Sequence, residues 1–143
     1  MDIHLLIAED DEEDQMFIQR AFDKINFGGN LHFVNNGEEV LTYLNNCKKT
    51  SAHPVANCPN ILLLDLNMPK LNGWETLEML KSNPDWVNIP VIIFTTSRSE
   101  EDIQASYRSG AACFIAKPDS YLGYVDTFRS FNHYWADTVQ LPK

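Results

Sequence analysis

Asp65 closes the run Ile61-Leu62-Leu63-Leu64 and opens Leu66-Asn67-Met68-Pro69, so one carboxylate stands where an apolar stretch meets a proline-marked loop. Glu9 and Asp10 follow a second such run, Leu5-Leu6-Ile7-Ala8. Thr95-Thr96-Ser97 follows Val91-Ile92-Ile93-Phe94, and Lys117-Pro118 follows Cys113-Phe114-Ile115-Ala116. Carboxylates, a hydroxyl and an ammonium are the parts of phosphoryl transfer: a nucleophile, metal ligands, and donors for the transferred oxygens. Three carboxylates brought together raise one another's pKa unless a cation intervenes. An all-oxygen site with few protein donors suits Mg2+, which keeps several of its waters. Singly these signals are weak, since Asp often caps turns and most Lys are solvated. Asp11, Glu12, Glu13 and Asp14 extend the acidic run, and acids in the first turn of a helix are explained by its dipole alone.

The elements that must bring these residues together are legible from periodicity. Residues 5–8 read as a short buried strand, and 31–34, 61–65, 91–94 and 113–116 as four further strands, with 61–65 apolar enough to be buried. Between them, 15–27 carries Ile18, Ala21, Phe22 and Ile25 at helical spacing, and 38–47 carries Val40, Leu41 and Leu44. Asn72 can cap a helix through Leu80, Ser99 with Asp102 resembles a capping box for a helix ending at Gly110, and 121–139 is the last helix. Alternating strands and helices predict a three-layer α/β fold with right-handed crossovers, flavodoxin-like, with a parallel five-stranded sheet of order 2-1-3-4-5. In that order the first and third strands are neighbours about 4.8 Å apart, so Glu9, Asp10 and Asp65 converge.

A chain of 143 residues with net charge −9 is one domain. It is poorly suited to nucleic acid or an anionic membrane, where clustered Lys and Arg are needed. No apolar run approaches the roughly 20 residues that span a bilayer. Cys47, Cys58 and Cys113 form an odd set without framework spacing and the N-terminus lacks signal-peptide regions, which predicts a cytoplasmic protein. Cys47, His53 and Cys58 frame a long loop, 48–60, but three irregularly spaced ligands do not make a zinc site. His4, His32 and His133 lack a base–nucleophile arrangement.

Glu9-Asp10, Leu63 to Pro69 with Gly73, Thr95-Thr96-Ser97 and Ala116-Lys117-Pro118 resemble, in order and over nearly the whole chain, the signature of response regulator receiver domains. The resemblance implies that Asp65 accepts a phosphoryl group from a sensor histidine kinase or a phosphotransfer protein. It implies that Asp10 binds Mg2+ directly, Glu9 largely through water, and that Asp65 and the Asn67 backbone carbonyl complete the ligands. Thr95 and Lys117 would hold the phosphoryl oxygens, with the Lys117-Pro118 bond cis. Asn67 and Ser97 would border the path of the attacking water. Thr95 and Phe114 form the family's switch pair; lacking the hydroxyl of a tyrosine, Phe114 would act through packing alone.

The last helix carries Tyr124, Phe128, Phe131 and Trp135 along one stripe, with Tyr121, Leu122, Val125 and Tyr134 beside it. Covering the sheet accounts for about half of such a surplus, and the rest predicts an interface. The tail Tyr134 to Pro142, the long loop before the third strand and the Thr95–Asp102 segment are similar to stand-alone regulators associated with bacterial phytochromes. That similarity implies a phytochrome-type kinase and a homodimer built through about 121–143. Three rivals are a phosphohydrolase of the haloacid dehalogenase type, a flavodoxin-like flavin binder, and a degenerate receiver that only binds. The first expects its acceptor after the first strand and a second acid two residues later, where Asn67 stands; the second would meet six acids at its phosphate loop.

Overall fold

The computed structural model describes residues 3–49 and 58–142. Five strands, β1 (His4–Ala8), β2 (Asn30–Val34), β3 (Ile61–Leu64), β4 (Val91–Thr95) and β5 (Cys113–Ala116), alternate with five helices. These are α1 (Glu12–Lys24), α2 (Gly37–Lys49), α3 (Gly73–Lys81), α4 (Glu100–Arg108) and α5 (Tyr121–Asp137). All strand pairs are parallel and the order is β2-β1-β3-β4-β5, as the sequence predicts. The runs of β1, β3 and β4 are buried on both faces because side chains alternate across each strand and helices cover both sides, while the edge strands β2 and β5 are only partly buried. Leu6, Ala8, Leu62, Leu64 and Ile93 pack with Val40 and Leu44 of α2 and Leu77 and Leu80 of α3. Leu5, Ile7, Leu63, Ile92 and Phe94 pack with Ile18 and Phe22 of α1 and Phe128 and Phe131 of α5. Phe128 lies 4.4 Å from Phe22 and 5.3 Å from Phe94, ring centre to ring centre, which locks α1 and α5 side by side.

Local chemistry sets the helix ends. Asn72 and Glu75 form a complete capping box at α3. At α4 only half of the expected box forms. Ser99 accepts from the Asp102 amide, but the Asp102 carboxylate accepts the Ser97 hydroxyl at 2.6 Å. Gly110, with φ 103°, ends α4 as its sequence position predicts. α1 starts at Glu12, a full turn's worth of acids earlier than its apolar stripe suggests, because Asp11 caps it by accepting the Asp14 amide. α5 ends at Asp137, short of Val139.

The cysteines, read from the sequence as a set without framework spacing, are corrected by the structure. Cys47 and Cys58 are joined in a disulfide with Cα atoms 5.2 Å apart. The fold brings the C-terminal end of α2 beside the approach to β3, a proximity that spacing alone does not reveal; His53 lies outside the described residues. Of the α5 stripe, Tyr124, Val125, Phe128 and Phe131 are core and Trp135 packs against it, leaving Leu122 (72% exposed) and Tyr134 (52%) as its outward apolar residues.

Candidate functional site

The register carries the acids to one place. Ala8 pairs with Leu64, and the Asp65 amide donates to the Ala8 carbonyl at 3.1 Å, so Glu9 and Asp65 leave adjacent strands at the same level. One oxygen from each of Glu9, Asp10 and Asp65 lies within 4.8 Å of the others. Glu9 and Asp65 are buried and Asp10 is exposed at the mouth. An all-carboxylate cluster open on one side fits a hard divalent cation.

Asp65 accepts the Asn67 amide on Oδ1 at 3.3 Å, so the turn-capping role is real but uses only one oxygen. The other, Oδ2, accepts from Lys117 Nζ at 2.9 Å. Asn67 itself is exposed, two residues beyond Asp65 on the loop. That loop can run close beneath α3 only because Gly73 begins the helix. A Cβ there would collide with the Asp65 carbonyl oxygen and Leu66 Cα.

Lys117 is buried and its ammonium lies 2.5 Å from Glu9 Oε1, 2.8 Å from Asp14 Oδ2 and 2.9 Å from Asp65 Oδ2. The Glu9 contact is an ion pair without hydrogen-bond geometry at Oε1, while Glu9 Oε2 accepts the Asp11 amide at 3.1 Å. Burial alone would lower the Lys117 pKa, but Asp14, Glu9 and Asp65 outweigh it and hold the ammonium charged. Burial pushes the Glu9 carboxyl up to about 7, with Lys117 opposing and Asp65 adding to the rise. The Lys117-Pro118 bond is trans, since no cis peptide occurs among the described residues. The expectation of a cis bond is therefore corrected: trans is the intrinsically favoured isomer, and Lys117 reaches its carboxylates from it. Arg98 Nη2 holds the Lys117 carbonyl at 3.1 Å.

Thr95 is fully buried at the end of β4, and its Oγ1 has no hydrogen-bond partner. A buried hydroxyl left unpaired costs about 1–3 kcal/mol, so its placement calls for a ligand acceptor. Thr95 pairs with Ala116, and Ile93 with Phe114. Alternation therefore puts the Thr95 and Phe114 side chains on one face of the sheet, where Phe114 packs half-buried. Ser97 is engaged by Asp102.

The helix dipole accounts for Asp14 in the sequence, but the structure brings it into the site. Its Oδ1 faces the Tyr124 hydroxyl of α5 at 3.4 Å while Oδ2 holds Lys117. The signal that could have found it is position: Asp14 lies one turn before Ile18 on the buried stripe of α1. The histidines stand elsewhere. His4 meets the Tyr43 hydroxyl at 2.9 Å, His32 stacks on Tyr43, and His133 sits 3.7 Å from Asp137 on α5. Burial raises the Cys113 thiol to about 11, away from the thiolate form.

Residues 5–121 match the family model of the response regulator receiver domain. The chain is 31% identical over 138 residues to response regulator Rcp1 of Synechocystis, covering 96% of this chain and 92% of that one. A structure of Rcp1 in its Mn2+-bound form superposes with TM-score 0.84 at 30% identity, over 99% of both chains. The phosphorylated cyanobacterial phytochrome response regulator RcpA superposes with TM-score 0.87 at 30% identity, over 100% of both. Response regulator RPA3017, of red light signalling in R. palustris, does so with TM-score 0.89 at 32% identity, over 99% of both.

Proposed function

Since the chain belongs to the response regulator receiver family, we propose that it is a single-domain response regulator, 1–143, that accepts a phosphoryl group on Asp65. Its donor is the phosphohistidine of a sensor histidine kinase, phytochrome-type by its relatives, or of a phosphotransfer protein. The observation that carries this reading is the unpartnered Thr95 hydroxyl, buried at the same end of the sheet as Asp65 and Lys117. Phosphoryl transfer supplies the acceptor that hydroxyl lacks.

An Asp65 carboxylate oxygen attacks phosphorus, the P–N bond breaks, and the imidazole nitrogen leaves with the electron pair and takes a proton. Lys117 and Thr95 donate to the equatorial oxygens as the acyl phosphate forms. Mg2+ is the cation proposed for Glu9, Asp10, Asp65 and the Asn67 carbonyl; bound there, it offsets the charge of carboxylate and phosphoryl oxygens. Its support is the oxygen-only donor set and the Mn2+ form of Rcp1. The chemistry ends with the protein's own phosphorylation and dephosphorylation, so it is not a turnover enzyme.

Thr95 and Phe114 are the proposed switch pair, on one sheet face and next to α4, of which only Ser106 is fully buried. A homodimer through α5 and the tail, 121–143, is proposed on the exposed Leu122 and Tyr134. Among the described residues no helix is long and apolar enough to cross a membrane. A cytoplasmic location is proposed from the family's partners, and in a reducing compartment Cys47–Cys58 would be held as a dithiol.

The test is transfer from an autophosphorylated histidine kinase. Rapid movement of label to this chain, lost in Asp65→Asn, supports the reading. Steady phosphate release from many monoesters would favour a phosphohydrolase, and no label from any donor a degenerate receiver.

A further inference from the structure

We propose that Asp14 is a positioning residue for the phosphoryl-binding ammonium of Lys117, and that Tyr124 fixes Asp14 from α5. This rests on the acceptor reading of Asp65.

Lys117 Nζ donates to Asp14 and Asp65 and faces Glu9 in an ion pair, so three carboxylates surround one ammonium. Two of the three have other demands on them. Glu9 and Asp65 belong, with Asp10, to the cluster that can hold a cation; Asp14 does not. Asp65 also changes its chemistry when it accepts a phosphoryl group, because the oxygen that bonds phosphorus is no longer a free anion. Asp14 is therefore the one carboxylate on Lys117 that neither the cation nor the phosphoryl group claims.

The fold supports that role from two sides. The Asp14 amide is held by the Asp11 cap at 3.0 Å, which fixes the first turn of α1. On the far side the Tyr124 hydroxyl, on a buried ring packed against Phe17 and Phe94, faces Asp14 Oδ1. One carboxylate thus spans from the site's ammonium to the helix proposed as the dimer face. When Lys117 turns from Asp65 Oδ2 to a phosphoryl oxygen, Asp14, held by Tyr124, is the fixed point about which it turns.

The experiment measures the rate of adduct formation from acetyl phosphate and Mg2+ by intact mass, in wild type, Asp14→Asn, Asp14→Glu, Tyr124→Phe, Lys117→Ala and Asp14→Asn/Lys117→Ala. Loss of a partner that orients a ligating group without touching the substrate costs about tenfold at the low end. Asp14→Asn is expected to slow the rate about tenfold, with Mg2+ affinity from tryptophan fluorescence unchanged. Asp14→Glu restores part of the rate, and Tyr124→Phe falls between wild type and Asp14→Asn. In the Lys117→Ala background Asp14→Asn makes no further difference, because its effect passes through Lys117. A wild-type rate in Asp14→Asn, or an equal loss with and without Lys117, overturns the proposal. A wild-type protein that takes no phosphoryl group overturns the acceptor reading and this inference with it.

Discussion

Lys117 donates its backbone N–H to the Thr95 carbonyl at 2.7 Å, so the ammonium and the hydroxyl that flank Asp65 are tied to each other through the β4–β5 ladder. Their side chains need no mutual contact to stay in register. Replacing either side chain therefore leaves the other where it was, and their contributions can be read separately.

For Thr95 the expected effects on stability and on function point in opposite directions. Its buried Oγ1 has no partner, so Thr95→Ala removes an unpaired polar atom and leaves the thermal midpoint unchanged or higher. Adduct formation from acetyl phosphate falls by about 10²-fold, the usual cost of one donor to a developing oxyanion. A melt and a rate on the same preparation check both.

Lys117→Ala behaves in the reverse sense. It strips the counter-charge from Glu9, Asp14 and Asp65, and an uncompensated buried charge costs about 3 kcal/mol or more. Urea titration without metal should show that loss, and Mg2+ should recover part of it by replacing the missing positive charge.

Glu9 gives the pH dependence. Its carboxyl is held at about 7 in the fold against an ordinary 4.5, so the folded chain binds that proton more tightly than the unfolded one. Its contribution to stability is present below about pH 4.5 and is lost as pH rises through about 7. Cation binding needs the deprotonated form, so the rise in thermal midpoint on adding Mg2+ should grow across the same window. Glu9→Gln should flatten that growth; a gain from Mg2+ that ignores pH in the wild type would remove Glu9 from the metal site.

The sheet order and the convergence of Glu9, Asp10, Asp65 and Lys117 were legible because each of these groups follows an apolar run, and the strand ends of a parallel sheet share one edge. Asp14 was not. Six acids in succession look alike until the start of α1 is known, and only then does Asp14 fall on the face of Ile18 and Phe22. The Cys47–Cys58 bond was hidden for a different reason: it joins the end of α2 to the approach to β3, a contact set by the packed layers and not by local pattern. The trans Lys117-Pro118 bond was missed because a family expectation stood in for the small intrinsic preference.

Reducing Cys47–Cys58 reopens a loop of sequence separation 11, and chain entropy puts the cost at about 3 kcal/mol. The denaturation midpoint should fall on adding dithiothreitol, and Cys47→Ser should match the reduced protein. Adduct formation should not change, since the site lies at the other ends of the strands.

Leu122 and Tyr134 are exposed on α5, so Leu122→Glu should leave stability within about 0.5 kcal/mol. If α5 forms the dimer face, sedimentation will show that substitution shifting the protein toward monomer at micromolar concentration. A wild type that is monomeric with and without phosphorylation would remove the dimer.

Asp65 is the residue proposed to carry the phosphoryl group. Intact mass after incubation with acetyl phosphate and Mg2+ should show one labile phosphoryl adduct in the wild type and none in Asp65→Asn. An adduct of equal yield in Asp65→Asn, or none in the wild type, would contradict it.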